Sequence, residues 1–145
     1  MHRKYYLIIA LSHLAVVVSM LFPLINVNEL RIGVAGAQNA EPYYMNIISF
    51  LQNEIYPITG ILMLVFVGIS IFGFALSIYG FVSKKLKSFS VKLSFIAGFG
   101  SASLGALLLY SNSTMLFLIC ALSFAIISFC TIKLVRLEER QENSK

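Results

Sequence analysis

The chain contains no tryptophan and no aspartate, and its six acidic residues are all glutamates. Glu29, Glu41 and Glu54 fall early, and Glu138, Glu139 and Glu142 crowd the C-terminus, so no long apolar run contains a carboxylate. Acid–base and hydrolytic chemistry needs a positioned acid, base, nucleophile or metal. No HExxH, GxSxG or phosphate-binding glycine loop supplies one. The expectation is therefore a non-enzymatic protein with no catalytic residue, no metal site and no cofactor.

Cysteine is also scarce. Cys120 and Cys130 are the only two, at a spacing that is neither a redox CxxC nor a zinc-ligand pattern. Ten helical steps leave them about 80° off a common face, and both read as small buried hydrophobes. Charge is the most telling shortage. Only 12% of the 145 residues are charged and 59% are hydrophobic, whereas soluble domains are about a quarter charged. Such a chain cannot coat a water-soluble surface.

What is present is long apolar runs. Residues 5–25, 57–82, 93–110 and 114–134 are each almost free of charge, His13 and the terminal Lys133 being the exceptions. About 20 apolar residues at 1.5 Å rise cross a hydrocarbon core of about 30 Å. Backbone groups in lipid must pair internally, so each crossing is expected as a helix. Strand-like alternation is missing, which argues against a barrel. The expected fold is an all-α membrane protein, a bundle of four transmembrane helices. The first run has the basic start of a signal peptide, and Ala35-Gly36-Ala37 resembles a cleavage site. Its apolar core is longer than the roughly 7–15 residues of a signal sequence, so it is read as a retained span.

Basic residues set the orientation, because Lys and Arg flanking spans favour the cytoplasmic side. Ten of the 11 lie on one side of a four-span arrangement: Arg3, Lys4, Lys84, Lys85, Lys87, Lys92, Lys133, Arg136, Arg140 and Lys145. Only Arg31 falls opposite. Both termini are expected inside, with a basic cytoplasmic loop at 83–92 and a cytoplasmic tail at 135–145. The net charge of +5 is then explained by topology, and no nucleic-acid partner is implied. Lys84, Lys85, Lys87 and Lys92 serve as the cytoplasmic anchor toward lipid head groups.

The 26–56 segment becomes the single long external loop, about 30 residues where antiparallel helices need only a few. Residues 29–34 alternate like a short strand. Residues 43–55 read as an amphipathic helix after Pro42, with Tyr44, Ile47, Ile48, Leu51 and Ile55 as its apolar contact surface.

Small residues mark helix-packing seams, because they let backbones approach in lipid. In 93–110 they recur every four residues in two sets: Ala97, Ser101 and Gly105, and Gly98, Ala102 and Ala106. Gly73 and Ser77 in the second span, and Ala121 and Ala125 in the fourth, offer matching strips. His13 is the one readily ionisable side chain within a span. It is read either as a hydrogen-bonded structural histidine or as a site handling protons or ligand.

Two functional classes follow. The first is contact: an accessory, regulatory or immunity-type protein whose partner is a second membrane protein or another copy of itself, engaged through the external loop and the small-residue faces. The second is an oligomeric transporter or channel for protons or small solutes that uses His13. The bilayer is the common partner of both. Abundant Ile, Ser and Asn with no Trp point to a bacterial plasma membrane.

Overall fold

The computed structural model describes residues 3–23, 25–26, 44–52, 57–83, 93, 96, 100 and 114–143. Its elements are α1 (Arg3–Leu21), β1 (Ile25–Asn26), β2 (Tyr44–Met45), α2 (Ile47–Leu51), α3 (Pro57–Val82) and α4 (Thr114–Glu142). Leu93, Ile96 and Gly100 also have helical backbone. Three helices, α1, α3 and α4, are long and apolar enough to cross a membrane.

Their ends have local causes. A proline disfavours helical backbone in the residue before it. Accordingly α1 stops at Leu21, and the Phe22 amide closes a tighter last turn onto the Ser19 carbonyl at 3.3 Å. The span expected over 5–25 is thus shifted toward the N-terminus. Pro57 opens α3, where its missing N–H costs nothing because first-turn amides have no helical acceptor. At the other end, α4 continues past the expected limit of 134 to Glu142. Leu134 and the half-buried Val135 and Leu137 keep its last turns against the bundle.

The loop departs further from expectation. Instead of one helix over 43–55, the backbone at Tyr44–Met45 is extended and pairs antiparallel with Ile25–Asn26, in the register Ile25 to Met45 and Asn26 to Tyr44. Helix begins only at Ile47. Asn46 caps it, its Oδ1 accepting the Ser49 amide at 2.8 Å, which satisfies one of the orphan donors of a first turn. The pairing explains the short helix, because residues 44 and 45 spend their backbone groups on a strand. The strand expected at 29–34 lies outside the described residues.

Packing follows one rule in every helix. The buried positions include Tyr6, Ile9, His13, Val16 and Met20 in α1, flanked by Ala10, Ser12 and Ser19, and Met63, Phe66, Ser70, Gly73, Ser77 and Gly80 in α3. In α4 they include Leu116, Cys120, Ser123, Ile127, Cys130 and Leu134. Leu93, Ile96 and Gly100 are buried as well. Apart from the three flanking residues of α1, these named positions advance by steps of three and four, the seven-residue repeat of helices that cross at a shallow left-handed angle; Phe124 and Thr131 of α4 are buried beside them. The faces between these stripes are also apolar but exposed, among them Leu11, Ile61, Phe72, Leu122 and Phe129. Apolar residues that face outward along a whole helix suit hydrocarbon rather than water.

Among the described elements, α1 packs along both α3 and α4. Arg3 lies over the Phe81 ring at 5.9 Å, whereas His13 meets Gly73 ten residues further along α1. Contacts at Arg3 with Phe81 and at His13 with Gly73 make the two helices antiparallel. Likewise His13 meets Phe124 and Ser19 hydrogen-bonds Cys120, so α4 also runs antiparallel to α1.

Candidate functional site

The middle of α1 carries the site. His13 is ten residues from Arg3, roughly 15 Å along the axis, and eight from Leu21, roughly 12 Å. It is fully buried, at 0% exposure. Two features of other helices make room for its ring. Gly73 of α3 presents bare backbone: a Cβ there would lie 3.0 Å from His13 Cδ2 and closer still to Nε2 and Cε1. Nothing larger than glycine fits. From the other side, Phe124 of α4 meets the imidazole edge to face, with centroids 6.2 Å apart and planes at 85°. Edge-to-face geometry sets the positive ring edge against a negative ring face.

Phe124 is itself seated by a second glycine. A Cβ on Gly100 would fall 2.9 Å from Phe124 Cζ and still closer to Cε1. On its other flank Phe124 tilts against Phe66 of α3, at 5.6 Å between centroids. The centre of the bundle thus runs Gly73, His13, Phe124, Gly100: two rings set edge to face between two stretches of bare backbone.

The hydrogen bonding here is unusual. Ser12, Ser77 and Thr131 each donate to the carbonyl four residues earlier in their own helix, at 2.7–2.9 Å. Ser19 donates three residues back at 2.7 Å. Each hydroxyl is thereby satisfied within its own backbone. By contrast, Ser70 Oγ and both ring nitrogens of His13 are buried with no hydrogen-bond partner among the described residues. Burying such groups unpaired costs about 1–3 kcal/mol each, so the polar groups around His13 are left unspent by the described residues.

Other residues singled out by sequence are distributed as follows. Gly73 and Ser77 share the inward face of α3, the Ser77 hydroxyl donating to the Gly73 carbonyl. Ala121 is half-buried against the core, and Ala125 is exposed. The inward stripe of α4 runs through Cys120 and Phe124, so the neighbouring alanines stand about 100° away. In place of an alanine strip, the α4 contact to α1 is built from large rings and cysteine. Both cysteines are buried.

In the loop, Ile47 is buried, while Tyr44, Ile48 and Leu51 are 49%, 55% and 37% exposed; the expected single apolar face is split. Ile55, Ala97, Gly98, Ser101, Ala102, Gly105, Ala106, Lys84, Lys85, Lys87 and Lys92 lie outside the described residues. Sequence reasoning passed over Gly100, Ser70 and Phe124. Ser70 and Gly100 were readable as the next members of the three-four stripes, through Phe66 and Gly73 and through Leu93 and Ile96.

Comparison with known proteins adds no assignment: no family model matches the chain, and no curated protein or solved structure matches it significantly.

Proposed function

We propose that the chain is a four-span protein of a bacterial plasma membrane, with both termini inside, and that it acts by contact with a second membrane protein or another copy of itself. Direction supports the fourth span. Because α3 and α4 both run antiparallel to α1, the chain leaves α3 on one side and enters α4 on the other. This supports a further crossing by 93–110, the one long uncharged run between them. The inside assignment of the N-terminus rests on the ten-to-one distribution of Lys and Arg. At that same end, Lys4 lies 5.2 Å from the Tyr5 ring centroid and Lys133 lies 5.4 Å from that of Phe129, the posture of basic side chains reaching from an apolar face toward an interface.

The observation that carries the contact reading is the exposed set Tyr44, Ile48 and Leu51 on the folded cap formed by β2 and α2. This cap is anchored inward by Ile47 and leaves large apolar side chains uncovered at the outer end of the bundle. The test is native mass spectrometry of protein extracted gently from its own membrane. A stoichiometric partner or second copy is expected, lost on Ile48→Asn with Leu51→Asn and retained on His13→Ala. A monomer, or a complex indifferent to the loop changes, overturns the reading.

Transport through His13 is the second reading, favoured by the two unpartnered ring nitrogens at mid-span. It requires that His13→Ala change flux in proteoliposomes.

A further inference from the structure

We propose that His13 and Ser70 together bind one neutral, water-sized, hydrogen-bonding guest, water itself in the resting protein, at the middle of the bundle. The proposal is independent of the contact reading and rests on placement, valence and charge.

Placement comes from α3. Ser70 and Gly73 are three residues apart on its inward face, about 5–6 Å between Cβ positions. The imidazole rests on the Gly73 position itself. The serine hydroxyl and the ring thus stand about one helical turn apart. Two hydrogen bonds in series, each about 2.8 Å, bridge such a gap through a single oxygen. Ser70 also forgoes the carbonyl four residues back, the acceptor that Ser12, Ser77 and Thr131 all take.

Valence matches as well. A neutral imidazole offers one donor and one acceptor, and a hydroxyl offers both. The two ring nitrogens point away from each other, so a single molecule that donates and accepts serves the Ser70 hydroxyl and one of them. At Gly73 itself the ring lies too close to the α3 backbone even for a methyl group, so the guest belongs on the Ser70 side of the ring.

Charge excludes an ion. In α3 and in 93–110 there is no charged residue, and α4 has none before Lys133. The nearest carboxylate along α4, Glu138, lies fourteen residues from Phe124, roughly 21 Å. On α1 the nearest charge is Lys4, nine residues from His13, roughly 13 Å. A buried ion without a counter-charge is costly, whereas a buried water with two or more polar partners is a standard structural element.

The experiment is magic-angle-spinning NMR on the full-length protein in lipid bilayers with 15N-labelled histidine, reading magnetisation transfer from water protons to the His13 ring N–H. Transfer is expected in the wild type and is expected to be lost in Ser70→Ala, with a shift of the His13 ring nitrogens. Gly68→Ala, where a methyl group meets nothing within 4 Å, is expected to leave it intact. Absence of transfer in the wild type overturns the proposal whatever the variants do. Transfer that persists unchanged in Ser70→Ala also overturns it, because the guest is then not shared with Ser70.

Discussion

At the residue scale, the two glycines beside the central rings do different work from glycines elsewhere in the same helix. Gly73 is where α3 gives way to the imidazole, and Gly68, five residues before it, faces open space. Gly73→Ala is therefore expected to lower stability by about 1–3 kcal/mol, the usual cost of forcing a methyl group into a packed core. Gly68→Ala is expected to be neutral or slightly stabilising, since alanine outranks glycine inside a helix. Unfolding titrations of both variants in the same mixed micelles check the contrast, and equal effects would show that His13 does not sit on Gly73. His13 was legible because an ionisable group inside an apolar run stands out. Its neighbours were not. Phe124 is one of twelve phenylalanines and carries no mark of being the ring that meets the histidine.

The elements show why hydropathy alone could not orient the helices. In α3 the side chains facing inward and those facing outward are both apolar, so an amphipathic pattern has nothing to contrast. What marks the inward stripe is size and weak polarity: Ser70, Gly73, Ser77 and Gly80 follow one another at alternating steps of three and four. The start of α3 was legible at Pro57, whereas the first span was expected to run past Pro23 to residue 25 and ends at Leu21. The extended backbone at 44–45 was not readable, because strand pairing between residues some twenty apart is decided by tertiary contact rather than by local pattern. Asn46 now carries the start of α2. Asn46→Ala is expected to cost about 0.5–2 kcal/mol of local stability, as cap removal does. Hydrogen exchange should then accelerate at the Ser49 amide and along 47–51, leaving α1, α3 and α4 unchanged.

For the whole molecule, three spans were legible as apolar runs and their mutual directions emerge from contacts. The fourth span and the sidedness remain proposals, argued from the directions of the helices and from the basic residues. Sidedness has a direct check. Cys120 and Cys130 are buried and should stay silent toward a membrane-impermeant maleimide, so single added cysteines can be read against the native background. Ala37→Cys is expected to label in intact cells, and Lys87→Cys only after the membrane is opened. Labelling of both from outside would discard the orientation.

The unequal lengths of the helices matter for the bilayer itself. With 19 residues, α1 is roughly 28 Å long, close to the thickness of a typical hydrocarbon core. With 26 uncharged residues, α3 is roughly 39 Å long, and it overshoots that core unless it tilts or the surrounding lipid thickens. The seam between these two helices of unequal length runs through Gly73, where His13 rests on bare backbone. A change in acyl-chain length is therefore expected to act on α3 before α1, and through α3 on the close approach of Gly73 and His13.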